Sequence, residues 1–185
     1  RRLHVITKSP ELSASQTAVT QAFDRLLAED KELGKSLGTA EILAKTEKLH
    51  QALLANPAGS DNKATFEAHN EFIDTLLELG EHVSDTSEMA LDPQLETFHL
   101  INYAVVFGPQ QMENVSELSV LGWTALKTGQ KTGYLRERID EDFGILRYVD
   151  NIVENAYLRA TGGTPEADAK YGMKANDDAY DAFQE

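Results

Sequence analysis

The chain has 185 residues, enough for one well-cored domain and short of two typical ones. Acidic residues outnumber basic ones 31 to 17, and the resulting net charge of −14 repels phosphate backbones and anionic lipid, which argues against nucleic acid as a partner. Cysteine is absent, which excludes disulfides and thiolate-bound metals, and no window approaches the roughly eighteen successive apolar residues of a membrane span or has the layout of a signal peptide.

Residues 1–8 have weak helical character. Ser9-Pro10-Glu11 then has the design of a helix start: a hydroxyl cap, a proline whose missing N–H costs nothing at the first helical position, and an acid against the positive end of the dipole. Leu12, Val19, Phe23, Leu26, Leu33 and Leu37 follow at helical spacing. Gly34, Gly38 and Thr39 mark a kink or break, and Ile42, Leu43, Leu49, Leu53 and Leu54 resume the stripe until a turn-rich segment opens at Asn56-Pro57. Without a break this rod would run about 45 residues, or ~68 Å at 1.5 Å per residue.

The stretch from Phe66 to Tyr103 organises the rest. Phe66, His69, Ile73, Leu76, Leu77, Gly80 and Val83 recur every three or four residues, with Glu67, Glu71, Asp74, Glu78 and Glu81 mostly between them, which predicts a helix with one buried stripe. Ser84–Ser87 compete with the backbone for hydrogen bonds and weaken it, before Met89 and Leu91 return apolar contacts. Asp92-Pro93 predicts a new helix from Pro93, carrying Leu95, Phe98, Leu100, Ile101, Val105 and Val106 and ending at Gly108-Pro109.

A shorter helix with Met112, Val115, Leu118, Leu121, Trp123 and Leu126 closes at Thr128-Gly129. Leu135, Ile139, Leu146, Val149, Val153 and Ala156 then form the cleanest heptad run in the chain, with Asp142 at the seam position between Ile139 and Leu146. Gly162-Gly163 ends it. Thr164-Pro165-Glu166 opens a last helix whose apolar side is Tyr171, Met173, Ala179, Tyr180 and Phe183. No strand-like alternation appears, so the fold class is all-α: an antiparallel bundle of about four main helices with short connecting helices, a single domain over residues 1–185.

Chemistry is sparse. There is no catalytic motif for a nucleophile and no phosphate-binding glycine loop, so no catalytic residue is assigned. Glu47…His50 and Glu96…His99 repeat the Glu-x-x-His pair of di-iron bundles, but His50 sits near a helix end where it would be solvated, and neither metal nor cofactor is expected. Asp140, Glu141 and Asp142 beside Arg136 and Arg138 read as solvated pairs, and Trp123 as core. In so acidic a chain, an arginine or histidine facing the interior is the natural fork for a small carboxylate. On that ground His99, Tyr103, Arg147 and Tyr148 are the candidate ligand-binding residues.

The segment Phe66–Asn102 resembles the extracytoplasmic sensor region of bacterial methyl-accepting chemotaxis proteins and related transmembrane signalling receptors. The likeness rests on His69, Val83-Ser84-Asp85-Thr86-Ser87, Leu91-Asp92-Pro93, Phe98-His99-Leu100, Pro109 with Glu113, and Gly122. It implies an all-helical ligand-binding domain held between two transmembrane helices outside this chain, a periplasmic location on an inner-membrane protein, receptor homodimers, and a cytoplasmic signal-transduction output such as a chemotaxis module. The preferred expectation is a sensor that performs no chemistry and binds a small solute, an organic acid or an amino acid, between its helices. The pattern departs from the family at Gln94, where an acid is usual, at Phe98 and His99, where tyrosines pair, and at Ser119, where an arginine precedes the glycine. Where that arginine or those tyrosines touch ligand in relatives, the departures imply a different ligand or a pocket placed elsewhere. A metal-binding bundle enzyme and a scaffold that senses through a partner protein are the alternatives.

Overall fold

The structure is a computed structural model that describes residues 10–56, 62–129, 133–172, 174, 175, 178, 179 and 182. Ser9, the turn after Asn56, and Met173, Tyr180 and Phe183 lie outside the described residues. The regular elements are all helical: α1 (Pro10–Leu37), α2 (Ala40–Ala55), α3 (Asn62–Thr86), a 3-10 turn (Met89–Leu91), α4 (Leu95–Ile101), a π-helical segment (Asn102–Phe107), α5 (Gly108–Thr128), α6 (Gly133–Thr161) and α7 (Pro165–Tyr171).

Gly38 decides the first boundary. It takes φ +65°, and the N–H of Thr39 returns to the carbonyl of Gly34 at 3.3 Å, a turn that ends α1 with its last carbonyls served. The Thr39 hydroxyl donates to Asp30, and His82 Nε2 at the far end of α3 donates to the Leu37 carbonyl at 2.8 Å. The long single rod is therefore two helices, turned back on one another.

Neighbouring helices run antiparallel, as paired contacts show. His50 of α2 faces Phe72 of α3 with ring centroids 5.7 Å apart, while Asn56 at the end of α2 donates to Thr65 near the start of α3 at 3.1 Å. On the other side, Glu117 of α5 meets Arg138 of α6, Gln111 meets Asp150, and Tyr103 meets Tyr157. Asn70 of α3 donates to Glu117 at 3.3 Å and joins the two halves. The all-α antiparallel bundle expected from the sequence is what the chain forms.

The buried stripe of α3 is centred on Thr65, Phe66, Phe72, Thr75 and Leu79 rather than on Ile73, Leu76 and Gly80, because the helix is covered from two sides, by α2 and by α5. Thr46 and Thr75 are buried with their hydroxyls donating to the carbonyls of Ile42 and Glu71, one turn back. Phe23, Leu43, Leu53, Phe72 and Leu79 form one core among α1, α2 and α3. Phe66, Val120 and Leu121, with Leu135 and Ile139, form a second, and Val149, Val153 and Tyr157, with Tyr103 and Phe107, a third. Each fully buried side chain in these patches contributes about 1.5–3 kcal/mol.

Two expectations for the middle of the chain are corrected. Asp92 does not cap a helix at Pro93; its Oδ1 accepts the Gln94 N–H at 2.7 Å in a local turn, and α4 begins at Leu95 with Gln94 as its cap residue. Leu91 is 76% exposed, so it restores no apolar contact after α3. Nor does Gly108-Pro109 end the next helix. The backbone passes through the π segment into α5, with the Gly108 N–H reaching the Tyr103 carbonyl five residues back. A proline inside an ordinary helix would clash with the carbonyl four residues before it, and the wider turn just ahead of Pro109 relieves that clash. Gly108 is required there, since a Cβ would lie 2.6 Å from the Tyr103 oxygen.

Thr164 caps α7 as expected, its hydroxyl accepting the Ala167 N–H at 3.2 Å with Pro165 at the first helical position. The helix is short, ending at Gly172 with φ +73°.

Candidate functional site

The π segment, α4 and the last turns of α6 enclose a cleft of 460 Å³, within the ordinary size range of small-ligand sites. Its wall is made by Phe98, His99, Asn102 and Phe107 on one side and by Ile152, Asn155, Ala156 and Arg159 on the other. The α6 residues recur at three and four, so one helix face presents an aliphatic, an amide, a methyl and a guanidinium in succession. Opposite them, the π segment widens the helix, and segments of this kind recur at functional sites.

The chemistry of the cleft is mixed. Arg159 is exposed in the last turn of α6 and has no carboxylate partner among the described residues, although the chain carries 31 acids. Among the described residues no Asp or Glu lines the cleft. Asn102 Nδ2 donates to the Phe98 carbonyl at 3.0 Å, and Asn155 Nδ2 to the Asn151 carbonyl at 2.6 Å. A carbonyl only accepts, so each amide spends one N–H on the backbone and keeps its second N–H and its oxygen for other partners. Phe98 and His99 stand edge to face at 5.4 Å.

Of the four residues proposed from sequence, the structure brings two to this region and leaves two outside. His99 lines the cleft. Tyr103 is half-buried behind it, 6.2 Å from the Tyr157 ring and packed on the third core patch. Arg147 and Tyr148 are exposed on α6, Tyr148 by 68%, and line neither this cleft nor the second cavity described below. Arg159, Asn155 and Asn102 were missed. The readable signal was the spacing Ile152, Asn155, Ala156, Arg159 next to the heptad seam, which places polar groups on the flank of a packed helix.

A second cavity of 200 Å³ lies among α1, α2 and α3. It is lined mainly by Leu12, Val19, Leu53, Phe72 and Ile73, with His50 and His69 in its wall. His50 is not solvated as its place near a helix end suggested. It is 6% exposed, its ring 4.8 Å from Phe23, and its Nε2 is buried without a hydrogen-bond partner. Desolvation holds its pKa below the ordinary 6.5, with the charge of Asp24 opposing. Both histidines of the Glu-x-x-His pairs stand apart from any metal-binding set: among the described residues no three His, Asp or Glu side chains are grouped closely enough to hold an ion. Trp123 is half-exposed, with Lys127 Nζ 5.3 Å above its ring.

The acidic run on α6 is also not merely solvated. Glu117 Oε1 accepts from Arg138 at 2.7 and 3.1 Å, and Asp142, 3% exposed, stands 3.6 Å from the same guanidinium. The hydrogen bond to Glu117 raises the Arg138 pKa further, so this group is a permanent cation between two buried carboxylates. Only Glu141, 3.7 Å from Arg138 on the same helix, makes the exposed pair expected one turn apart.

These features define an all-α antiparallel bundle with one amphipathic, ligand-sized cleft at a π-helical segment. No protein-family model, curated protein or solved structure matches the chain, and among the described residues no helix is long and apolar enough to cross a membrane.

Proposed function

We propose that this chain is the extracytoplasmic sensing domain of a transmembrane chemoreceptor, binding a small carboxylate in the cleft between the π segment and α6. The carrying observation is Arg159, a guanidinium in a cleft wall where no acid stands among the described residues. A planar fork with no carboxylate partner among the described residues is suited to a carboxylate from solution. The resemblance of Phe66–Asn102 to chemoreceptor sensor regions supports the same reading.

In this reading the domain performs no chemistry. Its ligand bridges two elements, the α4–π–α5 rod and the C-terminal half of α6. A ligand transmits a signal only through different affinities for two arrangements of the helices it touches. Binding that draws Arg159 toward His99 and Asn102 favours one arrangement of α6 against the rod, and in a homodimer that displacement passes toward the membrane.

The test is a thermal-shift screen of organic acids and amino acids followed by calorimetric titration. A ligand at 100 times its Kd adds about 2.7 kcal/mol, a rise of roughly 5–11 °C for a domain of this size. Arg159→Gln is expected to abolish the shift while leaving the circular dichroism spectrum unchanged. Stabilisation by no carboxylate, or undiminished stabilisation in the variant, overturns the proposal. The receptor assignment has its own check in the full-length gene product, where apolar segments of about twenty residues should flank the domain.

A further inference from the structure

Independently of the cleft at the π segment, we infer that the cavity among α1, α2 and α3 is a second binding site, which takes an uncharged single-ring phenol and meets its hydroxyl with His50. The wall is apolar on all three helices, with Leu12 and Val19 from α1, Leu53 from α2, and Phe72 and Ile73 from α3. Among the described residues no Asp, Glu, Lys or Arg lines it, so a charged guest would lose its hydration and gain no opposite charge. The volume of 200 Å³ exceeds the ~150 Å³ of apolar cavity that takes a benzene ring, which leaves room for one ring with a small substituent. At the rim Val19 and Leu54 stand 46% and 43% exposed, apolar surface that a guest would cover.

The polar handle is His50. Its ring belongs to the wall, stacks on Phe72 at 5.7 Å and lies 4.8 Å from Phe23, so it is held from two sides. The residue is 6% exposed, and its Nε2 has no hydrogen-bond partner among the described residues. Buried polar atoms are rarely left unpaired, so this nitrogen is a hydrogen-bonding position that the described side chains do not serve. Burial holds the ring's pKa below 6.5 against the charge of Asp24, so at neutral pH it is an uncharged imidazole with no charge to offer an anion. Its Nε2 then donates or accepts according to the tautomer, and a hydroxyl, donor and acceptor at once, answers both. The Phe72 and imidazole rings favour an aromatic body over an aliphatic one of the same size, through edge-to-face and offset contacts.

Calorimetric titration with p-cresol, toluene and 4-methylcyclohexanol tests each part in turn: toluene lacks the hydroxyl, and 4-methylcyclohexanol lacks the aromatic ring. p-Cresol is expected to bind saturably at one site, with toluene about tenfold weaker, the loss of one hydrogen bond, and 4-methylcyclohexanol weaker by a similar factor. His50→Phe keeps a ring and removes the nitrogen, and should weaken p-cresol about tenfold while leaving toluene unchanged. Val19→Trp fills the mouth at an exposed position and should abolish p-cresol binding, whereas Arg159→Gln, in the other cleft, should leave it unchanged. Absence of saturable p-cresol binding overturns the inference. Toluene as tight as p-cresol removes the hydroxyl from it, and 4-methylcyclohexanol as tight as p-cresol removes the ring; either result overturns the phenol assignment. Binding that survives Val19→Trp, or is lost in Arg159→Gln, puts the guest in another place and overturns the site.

Discussion

Replacing Arg138 with methionine keeps the apolar stem of the side chain and removes the charge between two buried acids. Glu117 and Asp142 have side chains only 8% and 4% exposed, and Glu117 Oε1 accepts both of its Arg138 hydrogen bonds within 3.1 Å. Removing one member of a buried pair costs about 3–5 kcal/mol, chiefly because the remaining charge stays desolvated. Arg138 is itself 34% exposed, so water reaches the vacated position and the lower end, about 3 kcal/mol, applies. For a domain of this length that lowers Tm by roughly 6–12 °C. Urea denaturation measures it directly, with the midpoint falling at unchanged slope. Arg138→Met combined with Glu117→Met removes a buried carboxylate as well and should recover more than half of the loss. A single variant within about 0.5 kcal/mol of the parent protein, the range of ordinary surface changes, would refute the account of this cluster.

Gly108→Ala should cost about 1–3 kcal/mol in the same assay, because the new Cβ meets the Tyr103 carbonyl oxygen at 2.6 Å and the backbone there must move. His50 titrates below its ordinary 6.5, so the unfolded chain takes up the proton first; this contribution favours the folded state above 6.5 and is lost as the pH falls from 6.5 toward the lowered value. His50→Leu should flatten the stability profile across that window in pH-dependent urea melts. Tyr157 is 4% exposed with its hydroxyl buried and unpartnered, so Tyr157→Phe should be neutral or stabilising by up to about 1 kcal/mol. A loss of more than that in thermal melts would mean the hydroxyl has a partner.

The bundle was legible because its signals are local. Apolar spacing, a proline at Pro165 behind Thr164, and the glycine at Gly38 each act through their own turn of helix, and the observed elements follow them. The heptad seam was legible even at its odd member: Asp142 is buried at the seam position with the Arg138 guanidinium, one turn away, 3.6 Å from its carboxylate. Illegible were effects that depend on a second helix. Spacing alone does not say which of several adjacent residues on α3 faces two neighbours at once, so the stripe was centred one residue away. His50 looked terminal along the chain but is covered by Phe23 from α1, a residue 27 positions earlier. Pro109 was read as a stop because a proline ends an ordinary helix, and nothing in the composition of Asn102–Phe107 announces that the turn there is wider. The cleft was half-visible: His99 could be named from its stripe, while Arg159 gains meaning only from standing opposite Asn102.

The wide turn between Asn102 and Phe107 also sets the angular phase of everything that follows it. At 3.6 residues per turn, one residue more or fewer rotates the downstream helix by about 100°. Deleting a single codon in this segment would restore a regular helix and swing Glu117 off the α6 interface, separating it from Arg138. The polar lock in one half of the bundle and the shape of the cleft in the other are thus two readouts of the same dial.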